Sequence, residues 1–432
     1  MIFPAGAQAL DARSFTLGNG LQVVLVREPK APVVISQVWY RVGAVDEADG
    51  KTGLAHMLEH MMFQGTRTIA PGEFSKIVSR NGGDDNASTS RDYTNYYIKF
   101  AADRLELALK LEADRMRHLV LSESEFQAEN LVVREERRSR VENKPVARMM
   151  EKFRALAFGD HPYGRPVIGL MADLENHTLA DLSDWYRRYY APNNALLVVV
   201  GDLEFKQAAT WIGKYFGPLP PNPALAPPAV LPVVSPVKGQ RIEVREKGAT
   251  LSRWFAGILT PTLADDRLGR DVFPLDLLVT VLGSGGSSRL YQRLVVDEGL
   301  AIGAGASFGG ISRYPALFSL SASPKPGVSV SRVEEVVLEE VARMVREPVT
   351  SRELERAKNG LIAGHIYARD SIDTIAWTIG RLFVSDIDWR LVLEGYPDRI
   401  RLVTAEDVQR VARKYLRPEA MTVGVLLPEL DG

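Results

Sequence analysis

Two histidines and a glutamate in the mostly apolar stretch of residues 53–63 have the spacing of a metal site. In a helix, His56 and His60 are four residues apart and project from one face, which Glu59 shares. Two imidazoles at this spacing can hold one Zn²⁺ ion and leave a carboxylate beside the open coordination position. The His-x-x-Glu-His order is typical of one class of zinc peptidase. The alternative is two core histidines, but an ionised Glu59 buried without a metal or partner would be costly.

A catalytic zinc usually takes three protein ligands and leaves a fourth position for water, so a third ligand must come from another segment. The best candidate is a helix predicted over residues 124–140. Glu129 and Glu136 are seven residues apart in it, which is two helical turns, so they face the same way. Spacing alone leaves open the alternative that both are surface glutamates with ion-pair partners four residues away.

The composition limits the classes of protein and the kinds of metal site. The chain has 432 residues, 46% hydrophobic and 25% charged, which are the values of a globular protein. Its net charge of -1 gives no electrostatic footprint for nucleic acid. No stretch approaches the roughly 18 to 20 apolar residues of a membrane span. Cysteine is absent, so disulfides, thiol catalysis and cysteine-ligated zinc are excluded, and a metal site must use His, Asp and Glu.

The N-terminal residues bear on the cellular compartment. The first nine residues contain no basic side chain and are too short for a complete signal peptide. Ala7-Gln8-Ala9 nevertheless has the A-x-A form of a signal-peptidase site. We therefore expect a periplasmic protein with the tail of a truncated secretory signal. The alternative is a plain disordered N-terminus and a cytoplasmic location.

Prolines crowd residues 218–236 and predict an extended linker, because proline fits neither a helix interior nor a central strand. The expected organisation is an N-terminal, zinc-binding domain over residues 1–217, the linker over 218–239 and a C-terminal, homologous domain over 240–432.

The two halves carry a similar pattern. A capped-helix start at Thr178 recurs 226 residues later at Thr404, and Pro192 recurs at Pro418. Strands are grouped before helices in each half. We therefore predict an α+β protein with two homologous α/β-sandwich domains from an internal duplication, each a mixed or antiparallel sheet packed with helices. Further matches are Val26-Arg27-Glu28 with Val244-Arg245-Glu246, each ahead of an aromatic strand, at Trp39-Tyr40 and Trp254-Phe255.

Motifs spread over nearly the whole chain resemble the pitrilysin or insulinase family of zinc peptidases, above all the mitochondrial processing peptidase group and its bacterial relatives. The matching segments are residues 53–66, residues 86–97, residues 129–136, His161-Pro-Tyr-Gly-Arg-Pro-Val-Ile-Gly169 and Ser287-Ser-Arg-Leu-Tyr-Gln-Arg-Leu294. In that family the third ligand is the second Glu of a pair seven residues apart. The resemblance thus implies one Zn²⁺ per chain held by His56, His60 and Glu136, with Glu129 as a supporting carboxylate. Glu135, the residue before Glu136, is the near miss, because a different helix phase would make it the ligand instead.

The resemblance also implies the chemistry and the substrate. Glu59 is expected to act as general base toward water at the metal, in a zinc-dependent endopeptidase that cleaves unfolded or extended peptides. The residues that resemble the family's substrate-binding edge strand are Asn86, Ala87, Ser88 and Thr89, and an exposed edge can pair with a peptide through backbone hydrogen bonds. The alternative for this stretch is a simple turn and strand start, because Asn81-Gly82-Gly83 is turn-like.

One expected part is missing. Active single-chain or homodimeric relatives usually carry, in the second half, an Arg and, seven residues later, a Tyr that bind the substrate backbone. Val295 and Ile302 stand at the matching positions, and neither can donate a side-chain hydrogen bond. We therefore expect a homologous partner subunit to supply the pair, with this chain as the catalytic subunit of a heteromer. The alternatives are a degenerate, slow enzyme and a non-catalytic peptide-binding or assembly subunit.

Overall fold

The computed structural model describes residues 9–225 and 239–429, and in them the chain forms a six-stranded and a five-stranded β-sheet. The strands of the first sheet run in the order β1-β2-β6-β3-β5-β4, and those of the second in the order β7-β11-β8-β10-β9. The strand bounds are β1 Ala12–Thr16, β2 Gln22–Arg27, β3 Val33–Tyr40, β4 Asp84–Thr89, β5 Thr94–Ala101, β6 Ala195–Gly201, β7 Arg241–Glu246, β8 Arg253–Thr260, β9 Ala301–Ser307, β10 Ala316–Pro324 and β11 Thr422–Pro428.

Helices lie between the strands in both halves. Their bounds are α1 Leu54–Met61, α2 Phe74–Arg80, α3 Leu105–His118, α4 Glu123–Arg137, α5 Pro145–Phe158, α6 Met171–Glu175, α7 Leu179–Tyr189, α8 Phe205–Phe216, α9 Val272–Gly283, α10 Arg289–Tyr291, α11 Val330–Arg346, α12 Ser351–Ala368, α13 Ile372–Val384, α14 Trp389–Leu393, α15 Tyr396–Leu402 and α16 Ala405–Tyr415. The predicted α+β class, with mixed sheets packed with helices, is confirmed.

The internal duplication is visible in the topology. In each half one parallel strand pair, β2 with β6 or β7 with β11, is joined to antiparallel strands. The helices α7 and α16 begin 226 residues apart, and each begins with the same capping box, from Thr178 and Asp181 or from Thr404 and Asp407. A capping box satisfies free backbone N–H groups locally, so the repeated helix start was readable from the sequence.

The aromatic residues of β3 and β8 are not structural equivalents, although the strands are. Trp254 pairs with Val425 of β11. The counterpart of Val425 in β6 is Val199, which pairs with Ser36 and not with Trp39. The shared tryptophans in the sequence therefore come from similar strand composition and not from a conserved register.

The halves interlock, because each gives a helix to the sheet of the other. Helix α13 of the second half packs on β3 and β6, where Trp39 is fully buried against it. Helix α5 of the first half packs on the second sheet, and its Met149 and Phe153 are buried with Leu426. Both sheets are therefore covered on two faces, by their own helices and by one from the other half.

Residues 226–238 contain most of the predicted linker and lie outside the described residues, so the domain boundaries remain a prediction. Residues 1–8, which include Ala7 and Gln8, also lie outside them, and the periplasmic location stays a prediction that osmotic-shock fractionation would check.

Among the helices in the described ranges, none has the length and apolar character needed to cross a bilayer.

Substitution of Gly380 tests the packing of α13 on the first sheet. A Cβ at Gly380 would overlap the ring of Trp39, which is fully buried. We expect Gly380→Ala to lower the free energy of unfolding by about 1 to 3 kcal/mol, the usual cost of overpacking. Gly360→Ala is the control, since this exposed helical glycine has no described atom within 4 Å of the added carbon. It should stabilise by about 0.5 to 1 kcal/mol. Denaturant unfolding of both variants measures the difference, and equal effects would contradict the packing argument.

Candidate metal centre

The chain ahead of α1 is held in a conformation that only glycine accepts easily. Gly53 precedes the helix with a φ of 94°, and a Cβ there would lie 2.7 Å from the carbonyl oxygen of Ile168. Gly169, at the end of the His161–Gly169 motif, packs against the same turn, and a Cβ on it would overlap the Thr52 carbonyl. The two glycines thus allow a close approach of two backbones that sets where α1 begins.

A buried carboxylate fixes the N-terminal end of α1. Glu47 accepts hydrogen bonds of 2.9 Å from the backbone N–H groups of Gly53 and Ala55. Burial raises the pKa of Glu47 to about 8, although these two hydrogen bonds oppose the rise. Sequence reasoning missed Glu47, because nothing in its local pattern marks a carboxyl that caps a helix six residues later.

Three of the predicted metal ligands meet in the fold. His56 and His60 come from α1 and Glu136 from α4, and one ligand atom from each lies within 4.8 Å of the others. Glu136 Oε2 is 3.6 Å from His56 Nε2 and 3.4 Å from His60 Nε2. Side-chain exposure is 11% for His56, 23% for His60 and 15% for Glu136. The three predicted side chains therefore lie together, and their role as metal ligands stays a prediction.

The geometry of this group fits a small metal ion. A tetrahedral zinc site with bonds of about 2.0 to 2.1 Å has ligand atoms about 3.3 to 3.4 Å apart, close to the two contacts of Glu136. Glu136 Oε2 is also buried and has no well-formed hydrogen bond to any described residue. A buried carboxylate oxygen left in this state is costly, so a cation between it and the two imidazoles would satisfy it.

Neighbouring side chains orient the ligands. Glu129 places Oε2 3.1 Å from His60 Nδ1 and accepts a 2.7 Å hydrogen bond from Gln64 at Oε1. A proton on His60 Nδ1 leaves the Nε2 lone pair free to face the centre. Glu136 is held at its other oxygen by Arg140, at 2.7 Å. Glu129 thus lies where the resemblance implied a supporting carboxylate, and Arg140 is the ion-pair partner four residues from Glu136.

Glu135, the near miss, does not enter the centre. Its side chain is 68% exposed and pairs with Arg138 at 3.2 Å. Helix α4 ends at Arg137 and continues as a wider, π-type turn over residues 138–142, whereas the sequence predicted regular helix to residue 140. The π turn carries Arg140, whose guanidinium reaches Glu136 from it.

The two histidines differ in proton affinity. Burial, together with the neighbouring His60, lowers the pKa of His56 to about 4. Burial also opposes protonation of His60, but the hydrogen bond to Glu129 and the Glu136 carboxylate outweigh it and raise the pKa of His60 to about 9. At neutral pH His60 is therefore protonated on both ring nitrogens, and a metal ion that binds at Nε2 displaces the proton there.

Glu59 lies between the metal-ligand group and the edge of the first sheet. Its Oε2 accepts a hydrogen bond from the Thr89 hydroxyl, and burial raises the pKa of Glu59 above its usual value. Thr89 ends β4, which pairs with β5 on one side and has no partner strand among the described residues on the other. The predicted substrate stretch, Asn86, Ala87, Ser88 and Thr89, thus forms an edge strand beside Glu59, and its binding role stays a prediction.

Residues 239–429, the part of the second half that the structure describes, contain no equivalent centre. Helix α9, the counterpart of α1, reads Val-Phe-Pro-Leu-Asp-Leu-Leu-Val-Thr-Val-Leu-Gly and contains neither His nor Glu. Val295 is half-buried, and Ile302 is 51% exposed on the edge strand β9. The nearby arginines are tied into ion pairs, Arg289 with Glu353 at 2.7 Å and Arg293 with Glu298 at 2.8 Å. Neither is therefore placed to replace the missing Arg.

Comparison with known proteins identifies the family. Residues 22–170 match a model described as insulinase (peptidase family M16), and residues 176–361 match one described as peptidase M16 inactive domain. The zinc protease PqqE of Helicobacter pylori is 34% identical over 418 residues, which cover 96% of this chain and 92% of that protein. The chain belongs to peptidase family M16. The resemblance to the pitrilysin or insulinase family is thereby confirmed.

Other M16 proteins extend this likeness. The crystal structure of a protease from Helicobacter pylori has a TM-score of 0.91 and 33% identity, covering 97% of this chain and 100% of that one. A probable mitochondrial-processing peptidase subunit beta from Arabidopsis thaliana is 25% identical and covers 98% of this chain and 80% of that protein. The family and its zinc protease members support zinc peptidase chemistry, and the match to an inactive-domain model agrees with the apolar helix α9.

Paired glutamine variants test which glutamate is the ligand. Glu136→Gln removes an anionic ligand, so we expect zinc retention after dialysis to fall sharply. Glu135→Gln is the matched control and should leave zinc content unchanged. Glu129→Gln should weaken zinc affinity by about 10- to 100-fold, the usual effect of an outer partner. Metal analysis of the three proteins decides the point, and loss of zinc from Glu135→Gln alone would show that the assignment is wrong.

Proposed function

We propose that this chain is a zinc-dependent endopeptidase that cleaves unfolded or extended peptides and that it is the catalytic subunit of a heteromeric enzyme. The observation that carries the proposal is the convergence of His56, His60 and Glu136 beside the half-buried Glu59. In a non-catalytic peptide-binding subunit, which is the alternative, nothing would require Glu59 to be kept next to a complete set of metal ligands.

The donor set suits zinc, with two imidazole nitrogens and one carboxylate oxygen. One zinc ion per chain would be held by His56, His60 and Glu136, and when bound it would activate water and polarise the scissile carbonyl. Glu59 takes the proton from the attacking water and delivers it to the leaving amine, as a general base and then a general acid. Burial raises the pKa of Glu59 above its usual value, and a carboxyl group with a raised pKa is better suited to deliver the proton in the second step.

The edge strand β4 explains the preference for extended peptides. A peptide that pairs with a free edge binds through its backbone, so it must be extended and can have almost any sequence. Thr89 is the last residue of β4 and bonds directly to Glu59. A peptide paired along β4 is therefore led to the catalytic carboxylate, and a folded protein has no strand available to pair in this way.

Replacement of the general base tests the mechanism. Glu59→Gln keeps the shape of the side chain and removes the base, so hydrolysis of an unfolded peptide should fall by about 10²- to 10⁴-fold while zinc content stays unchanged. Glu135→Gln, an exposed glutamate on the neighbouring helix, serves as the control and should keep full activity. Near-normal hydrolysis by zinc-loaded Glu59→Gln would overturn the assignment of Glu59.

The heteromeric part of the proposal concerns the missing Arg and Tyr. Val295 and Ile302 offer no donor, and Arg289 and Arg293 are held by glutamates of the second half. A donor aimed at the developing oxyanion is worth about 10²- to 10³-fold in rate. We therefore expect the chain alone to be weakly active, and to gain strongly when mixed with a homologous M16 chain from the same cell that carries the Arg–Tyr pair and lacks the zinc motif.

Two controls separate the possible sources of that gain. A mixture made with Glu59→Gln should stay inactive, because catalysis belongs to this chain. The double variant Val295→Arg/Ile302→Tyr should raise the activity of the chain alone, since it restores the donors in place. Full activity of the unmixed wild-type chain, or failure to bind any such relative, would refute the heteromer.

A further inference from the structure

The loop of residues 308–315, between β9 and β10 of the second half, docks on the first half through buried ionic contacts. Arg313 Nη1 lies 3.1 Å from Asp46 Oδ2 and 3.3 Å from Oδ1, and the two side chains are 9% and 11% exposed. The backbone N–H of Arg313 donates a 3.1 Å hydrogen bond to Asp92 Oδ2. A single residue of the second half thus holds two carboxylates of the first half.

Both carboxylates belong to segments that carry the catalytic centre. Asp46 is followed by Glu47, whose carboxylate binds the first N–H groups of α1, the helix with His56 and His60. Asp92 lies in the turn that follows β4, three residues after Thr89, whose hydroxyl bonds to Glu59. Arg313 therefore contacts the chain ahead of the metal-binding helix and the chain behind the edge strand.

The surroundings make this contact rigid. Tyr163 donates from its hydroxyl to the other oxygen of Asp92 and accepts a 3.3 Å hydrogen bond from the backbone N–H of Tyr314. The rings of Tyr163 and Tyr314 lie 5.5 Å apart, edge to face. Asp46 also accepts a 2.9 Å bond from the Gly43 N–H. A buried, charge-assisted network of this kind fixes geometry more tightly than an exposed ion pair does.

We propose that Arg313 is a positioning residue for peptide hydrolysis, through which docking of the second half sets the geometry of the metal-binding helix and of the edge strand. The inference rests on the proposed function for its catalytic meaning. Other ion pairs between the halves do not share this placement. Lys99 and Asp373, for example, pair at 2.8 Å with side chains 37% and 47% exposed and join β5 to α13.

Loss of the Arg313 contacts should lower kcat, because the rate of catalysis is sensitive to small shifts of the reacting groups. A shift of about 1 Å at a reacting group can cost about 10²-fold in rate. Arg313→Met should therefore lower kcat by about 10- to 100-fold and change KM little, because the edge strand still offers its backbone to the peptide. Arg313→Lys keeps the charge and one donor toward Asp46, so it should recover part of kcat.

A double variant separates positioning from simple loss of stability. Arg313→Met leaves Asp46 buried without its cation, which lowers the melting temperature. Arg313→Met/Asp46→Asn removes that charge and retains an acceptor for Gly43, so the melting temperature should recover. If Arg313 positions the centre, kcat stays low in the double variant, whereas recovery of kcat together with stability would overturn the proposal.

Hydrogen exchange gives a readout that does not depend on activity. In the full zinc-loaded chain, Arg313→Met should speed amide exchange in residues 43–62 and 84–93, and the control Lys99→Met should not. Unchanged exchange in both segments would contradict the coupling, even if activity fell. If the wild-type chain cleaves no peptide with or without its relative, the proposed function fails, and the exchange experiment still decides whether Arg313 holds these segments.

Discussion

A buried carboxylate oxygen, Oε2 of Glu136, faces two imidazole nitrogens at 3.4 and 3.6 Å, and much of the first half serves to hold it there. Such an oxygen is unstable unless a cation neutralises it, so the helices that carry the three side chains must be fixed from outside the centre. Glu47 anchors α1 at its N-terminal end, and Arg140 holds the second oxygen of Glu136. The centre thus depends on contacts that are not themselves metal ligands.

The two duplicated halves differ in the composition of one equivalent helix, α1 in the first and α9 in the second. They share strand order, a parallel strand pair and a repeated capped helix, yet only the first carries histidine and glutamate side chains on the helix that follows its aromatic strand, α1 after β3 compared with α9 after β8. In the second half the equivalent helix α9 is mostly apolar, with Leu277 and Leu278 fully buried, and its one carboxyl group, that of Asp276, accepts a 3.1 Å hydrogen bond from the Tyr396 hydroxyl. Without His or Glu side chains to accommodate, that helix packs mainly through buried apolar residues of the core.

Sequence patterns predicted those parts of the site whose residues lie within a single helix. His56, Glu59 and His60 lie within one helix, and the seven-residue spacing placed Glu129 and Glu136 on one face of α4, so the helical period sufficed. The capping boxes at Thr178 and Thr404 revealed the duplication for the same reason. Contacts between segments that are distant in the chain could not be predicted from the sequence. Glu47 and the exchange of α5 and α13 between the sheets carry no short-range signal, and the hydroxyl of Thr89 was expected only as part of a backbone edge. The partner of Glu136 four residues along the chain, Arg140, was readable only as a surface ion pair.

The free edge of β4 imposes a further demand. A strand proposed to bind a peptide must stay uncovered on that side, so half of its possible backbone support is given up. The support has to come from side chains and from the strand ends. Ser75 donates to Asp85 near the start of β4 at 2.7 Å, and Thr89 at its end donates to Glu59. Beyond that end, Asp92 is buried and bonded both to its own half and to the second half.

The contacts of Asp92 connect the free edge strand β4 to the second half of the chain. The turn after β4 is fixed by Tyr163 of the first half and by the 308–315 loop of the second, and neither contact uses the free edge of β4. The same loop, through Asp46, reaches the segment that leads into α1. The proposed peptide-binding edge and the helix with His56 and His60 therefore share one buried support, which the docking of the second half supplies.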